Sequence, residues 1–242
     1  MKFMMMHKHQ ENAEAAKKPS AYIIAEMGKL VGGMAQSGRL FDGAGLGPSA
    51  TRSRLTFKRG ERTVLHGPSA GSNELPAGYV MVKVTSREEA IEWATKIAGA
   101  IGGDLELEVG KVNEPWDLGI GEKPANAPLR YLILHKATPA FEAGTARDLS
   151  KVKDEMAKAG VLQTTGALTP SSRGKRLNFV REGNKQTVKD GPFSESKELI
   201  GGYVVAEFAS MEECLALCHT YAQILLSESD HLEIDIRPTA DN

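Results

Sequence analysis

Residues 190 to 203 read DGPFSESKELIGGY, and residues 66 to 79 read HGPSAGSNELPAGY, an altered version of the same segment. Gly67 to Tyr79 and Gly191 to Tyr203 span the same twelve-residue interval. Around them FMMMHK (3 to 8) matches YLILHK (131 to 136), GPSATRSRLTF (47 to 57) matches TPSSRGKRLNF (169 to 179), and DLELEV (104 to 109) matches HLEIDI (231 to 236). An internal repeat defines the unit that has to fold, so it outranks every local signal. It places a first copy at 1–114 and a second at 130–242. Between them, residues 115–129 (PWDLGIGEKPANAPL) carry three prolines and no hydrophobic period, the mark of a linker.

A chain of 242 residues gives each copy enough length for its own core. Lysine plus arginine (30) nearly cancels aspartate plus glutamate (31), so there is no basic footprint for nucleic acid or an anionic membrane; a small-molecule partner is expected. No apolar run approaches the roughly 18 residues of a membrane span. The opening MKFMMMHKHQ matches the start of the second copy and is read as a strand rather than an address. Cys214 and Cys218 align with Ala90 and Ala94, which marks them as small buried positions on one helical face. Two thiols lack the further ligands that zinc needs, and a reduced, cytoplasmic chain without metal or cofactor is expected.

Each copy starts with a short strand of near-continuous apolar character. A helix follows, with Ile23, Met27, Leu30, Val31 and Met34 at helical spacing in the first copy and Leu149, Val152, Met156 and Ala159 in the second. Thr145 with Asp148 resembles a capping box for the latter. Leu55 and Phe57, like Leu177 and Phe179, then share one face of a strand, while Arg54 and Arg176 take the other. SREE at 86 and SMEE at 210 announce a second helix with a serine cap and a returning glutamate. The terminal strands alternate acids with Leu105, Leu107 and Val109, or with Leu232, Ile234 and Ile236, predicting one wet face and one dry. This order predicts an α+β fold of two ferredoxin-like repeats, helices on one side of each antiparallel sheet. Packing the sheets face to face, as an intrachain pseudo-dimer, would cover the apolar face that a single copy leaves bare.

DGPFSESKELIGGY, preceded by GVLQTTGALTPSS and a strand opening YLILHK, closely resembles the YCII-related or DGPF-domain proteins of bacteria. In the first copy the resemblance rests on the surrounding landmarks, because His66, Ser69 and Asn73 replace the Asp, the Phe and the Lys. The resemblance implies the dimeric α/β-barrel fold. It implies less about activity: most members have no assigned reaction, some are associated with extracytoplasmic-function sigma factors, and the wider superfamily includes lyases, isomerases and oxygenases.

The family's suspected site is drawn around a histidine and the motif's aspartate, here His135 and Asp190. A carboxylate that fixes the tautomer of an imidazole and raises its basicity makes a general base for proton transfer, as in a lyase or isomerase. The competing reading of Asp190 is a turn residue bonded to nearby backbone, and that of His135 a strand-end side chain. His7 stands where His135 stands, and His66 where Asp190 stands, which suggests a second, altered site. His7 and His9 share a strand face, but with no acid or thiol beside them a metal is not expected. Arg176 and Arg54 are candidates to grip a substrate carboxylate in bidentate fashion, or outward-facing strand residues. Glu195, Lys197 and Glu198 read as solvated loop charges. Two functions follow: a small-molecule enzyme using His135 and Asp190, or a non-catalytic ligand-binding or regulatory module.

Overall fold

The structure, a computed structural model, describes residues 1–8, 18–67, 73–145, 148–194, 196 and 199–240. The first repeat runs β1 (Lys2–Lys8), α1 (Ala21–Gln36), β2 (Leu40–Gly45), β3 (Ser53–Lys58), β4 (Glu61–His66), β5 (Pro76–Val84), α2 (Arg87–Ile101) and β6 (Leu105–Lys111). The second runs β7 (Leu129–Lys136), the one-turn α3 (Pro139–Glu142), α4 (Ser150–Lys158), β8 (Leu162–Ala167), β9 (Lys175–Val180), β10 (Lys185–Asp190), β11 (Ile200–Glu207), α5 (Met211–Leu225) and β12 (His231–Pro238). The fold is α+β, with two six-stranded antiparallel sheets of order β10-β9-β12-β1-β11-β2 and β4-β3-β6-β7-β5-β8.

Each sheet draws strands from both repeats. Met5 of β1 pairs with Val204 of β11 and Ile236 of β12, not with β5 or β6 of its own repeat. Ile133 of β7 reciprocally pairs with Val80 of β5 and Val109 of β6. Unit 1 therefore comprises residues 1–45, 171–194 and 198–242, and unit 2 comprises 46–170 and 195–197. The repeats at 1–114 and 130–242 are units of sequence; each compact unit is a βαβ segment of one repeat completed by the remainder of the other.

Within each unit the helices cover one sheet face. In unit 1, Phe3, Met5, Val204, Ile234 and Ile236 form a core with Met34 of α1 and Cys214, Cys218 and Ala222 of α5. In unit 2, Val80, Leu107, Val109 and Ile133 meet Ala94 and Ile97 of α2 and Val152 and Met156 of α4. The period-2 alternation of the strands puts Met4 and Met6, at 0% exposure, on the opposite face, which is buried too.

Ser86 and Ser210 cap their helices, accepting from Glu89 N at 3.1 Å and Glu213 N at 3.3 Å. The glutamates return the bond one residue earlier than a capping box would, Glu89 to Thr85 N and Glu213 to Ala209 N. The box expected at Thr145 and Asp148 does not form: α4 starts later, and Asp148 instead accepts from Ser150 N at 2.9 Å. Among the described residues no helix is long and apolar enough to cross a membrane.

Candidate functional site

The DGPF turn explains itself residue by residue. Asp190 ends the exposed edge strand β10, and its carboxylate, 79% exposed, is ion-paired with Lys175 across the β9–β10 ladder. Gly191 lies so close to the Ser171 carbonyl that a Cβ would overlap it, and Ser171 Oγ accepts from Phe193 N at 3.1 Å. The Phe193 ring then forms a platform for the Arg176 guanidinium, 4.5 Å from the ring centroid. In the first repeat the equivalent cross-strand pair is Ser53 with His66, hydroxyl to Nδ1 at 2.9 Å. Both members of the pair differ between the repeats, Lys and Asp in one and Ser and His in the other, so His66 keeps the turn's cross-strand contact by a hydrogen bond in place of an ion pair.

His135 lies in unit 2 and Asp190 in unit 1, and the partner seen for Asp190 is Lys175. No hydrogen bond to the His135 ring exists among the described residues. Desolvation, and secondarily the positive charge of Lys153, depress its pKa from 6.5 to about 4, the opposite of what a carboxylate partner would do. Gly78, opposite it on β5, leaves room for the ring; a Cβ there would overlap His135 Nε2. His7 is seated likewise against Gly202, but its Nδ1 shares a 2.7 Å hydrogen bond with the Tyr221 hydroxyl. The counterpart of Tyr221 in unit 2 is Ile97, which has nothing to offer an imidazole. The glycine before each motif tyrosine is thus a seat for a histidine from the neighbouring strand.

The strongest electrostatic feature was not anticipated. The acids of β6 and β12 do not form a wet face: Glu108 is 3% exposed and Asp235 1%. Basic side chains from adjoining strands meet them there. In unit 2, Arg54 binds Glu74 at 2.6 Å and Glu106 at 3.2 Å, Arg52 binds Glu108 at 2.7 Å, and Lys136 bonds Glu74 and approaches Glu108 at 3.7 Å. Burial alone would raise the Glu108 pKa, but Lys136 and Arg52 outweigh it and bring it to about 2. Glu74 is lowered by the same contest, with Lys136 and Arg54 as the winning charges.

Unit 1 repeats the plan. Arg176 grips Asp235 in bidentate fashion at 2.6 and 3.0 Å, with Glu233 at 3.3 Å, and Lys8 lies 3.3 Å from Asp235. The carboxylates that Arg54 and Arg176 hold are therefore the protein's own. Even the large buried arginine is retained by exchange: Arg52 runs over Gly110 of β6, whereas Arg237 of β12 runs over Gly174 beside β9. Each arginine crosses the strand pair from the opposite side, onto a glycine.

In unit 2 this cluster opens to solvent in a cleft of about 280 Å³. Lys136 and Glu106 line it, with Thr56, Asn73, Asp104 and Thr138. Asn73 Oδ1 accepts from Leu75 N and Ser196 N, which fixes the amide plane. His9, Glu195, Lys197 and Glu198 lie outside the described residues, as do 68–72 of the first-repeat motif. Among the described residues no group of three or more His, Cys, Asp or Glu side chains is placed to hold a metal ion.

The chain is similar to a protein of Rhizobium meliloti (strain 1021) described as uncharacterized, at 30% identity over 94 residues, which is 39% of this chain and 72% of the relative. No solved structure matches it significantly. The model of the YCII-related domain matches residues 1–103 and again 129–223, most of the chain and both repeats. The protein belongs to the YCII-related domain family and carries that domain twice.

Proposed function

We propose that the protein is a non-catalytic small-molecule-binding module, with its ligand in the unit 2 cleft. The observation that carries this reading is the presence of both Lys136 and Glu106 in the cleft lining, one anchored by buried carboxylates and the other held by Arg54. Lys58 and Asp104 repeat the balance at the mouth, so the lining favours a neutral or zwitterionic molecule over a net ion. At ~30 Å³ of liquid per water, the volume suits a molecule of roughly ten non-hydrogen atoms. An acid–base role for His135 with Asp190 has less support, because the aspartate is engaged by Lys175 and the histidine is held neutral. Coupling of the bound state to a transcription-factor partner, such as a sigma factor, rests on the family resemblance alone.

The test is a thermal-shift screen of small zwitterions (amino acids, betaines and their amides) against the parent and Glu106→Gln. A ligand that raises Tm in the parent and loses its effect in the variant supports the site. A panel without effect, a shift unchanged by the substitution, or turnover of a bound compound overturns the reading.

A further inference from the structure

Unit 1 contains a group of side chains that unit 2 lacks. Cys214 and Cys218 sit one turn apart on α5, both at 0% exposure, and the Cys218 thiol donates to Met5 Sδ on β1 at 3.2 Å. Cys214 lies one turn before Cys218, whose proximity together with burial pushes the Cys214 thiol pKa up. Tyr221 follows on the same helix face and bonds His7. The equivalent positions in unit 2 are Ala90, Ala94, Ile133 and Ile97, all members of its apolar core. The same fold is therefore packed well at this spot by alanine and isoleucine, and volume alone does not call for three sulfurs. The changes converge from a helix and a strand of different repeats onto one contact.

The chemistry of the donor set is narrow. Two thiols and a thioether are soft ligands, of the kind that select copper(I) over harder ions. With metal–thiolate bonds of ~2.3 Å, two sulfurs on one ion stand roughly 3.3–4 Å apart, so the observed 3.2 Å needs only a slight opening. The surroundings, Phe3, Ala222 and Ile236 among them, are apolar and penalise any net charge. One thiolate with a monovalent ion is neutral. A divalent ion with the same set is not, and among the described residues no third His, Cys, Asp or Glu completes a tetrahedral shell.

We propose that Met5, Cys214 and Cys218 form a binding site for a monovalent soft metal ion, copper(I). On binding, the Cys218 S–H bond breaks, its proton leaves to solvent, and the sulfur lone pair forms the bond to copper. The Met5 thioether and the Cys214 sulfur complete the coordination, and copper stays in the +1 state throughout. His7 is half-buried and joined to Tyr221, which follows Cys218 on the same helix.

The test is an anaerobic titration of the full chain with copper(I) against a chromogenic copper(I) chelator. Three variants use the residues of the other repeat, which the fold already accepts: Cys214→Ala with Cys218→Ala, Cys218→Ala alone, and Met5→Ile. The parent is expected to take about one copper per chain and release about one proton. The double variant should take none, and Met5→Ile should bind at least roughly tenfold more weakly. Failure of the parent to compete with the chelator, equal binding by the double variant, or a preference for zinc(II) over copper(I) would overturn the assignment.

Discussion

Acidification from pH 7 to 4.5 should cost the fold roughly 2.4 kcal/mol through His135 alone. The ring is desolvated against Gly78, the positive charge of Lys153 adds to the effect, and its pKa lies at about 4 rather than 6.5. Well above pH 6.5 the imidazole is neutral in the folded and the unfolded chain alike, and its contribution is constant. Between pH 6.5 and about 4 the unfolded chain takes up a proton that the folded chain refuses, so stability falls as the pH falls. Below that the loss levels off near about 3.4 kcal/mol, the difference between 6.5 and 4 at 1.36 kcal/mol per pH unit. Glu108, held at about 2 by Lys136 and Arg52, acts in a lower window: its contribution is full above the ordinary value of 4.5 and is lost as the pH falls from there to about 2. The measurement is urea unfolding of the parent and His135→Phe across this range, followed by circular dichroism. Phenylalanine keeps an aromatic ring over Gly78 and removes the titration, so the parent-minus-variant difference isolates one group. A difference smaller than about 0.5 kcal/mol would mean that the folded ring protonates freely. A difference of the opposite sign would reveal an acidic partner and revive the pairing with Asp190.

Lys136→Met leaves Glu74 and Glu108 buried without their shared cation, and denaturant unfolding should record a loss of roughly 3–5 kcal/mol; a loss under about 1 kcal/mol, the range of surface pairs, would show that the cluster does not depend on it. Gly202→Ala places a methyl 2.5 Å from His7 Cε1 and 2.9 Å from the Ala44 carbonyl, and should cost about 1–3 kcal/mol in thermal melts. A neutral outcome would remove the proposed seat for the histidine. The strand exchange is checked covalently: with Met4→Cys and Val205→Cys, paired across β1 and β11, oxidation followed by cleavage in the 115–129 linker should leave one band on a non-reducing gel. Two bands there would show that each repeat folds on itself.

Secondary structure was legible because the repeat supplied two independent readings of each element, and the serines before α2 and α5 named their own helices. The exchange between repeats was not legible, for a physical reason. Val80 and Val204 offer β1 the same β-branched surface, so hydrophobic pattern and register fit both pairings equally. The candidate site suffered from a different ambiguity. Alternation of Glu106 and Glu108 with leucines and valines describes a solvated face and a buried ion-pair face alike, since periodicity reports direction and not environment. A signal was present in Arg54, Glu106, Glu108 and Lys136, whose charges recur with the same signs in Arg176, Glu233, Asp235 and Lys8. Asp190 was read through its motif, and the residue that explains it, Lys175, has no such pattern to advertise it.

The interleaved strands also set a timetable for synthesis. Unit 2 is nearly complete when residue 170 leaves the ribosome, but β1 has to wait for β11 and β12, with Phe3 finding Ala206 and Pro238 only at the end. At 5–20 residues per second, the 72 residues from 171 to 242 take on the order of 4–15 s. Throughout that interval the Met-rich strand β1 lacks its native neighbours, an unpaired apolar edge of the kind that chaperones bind.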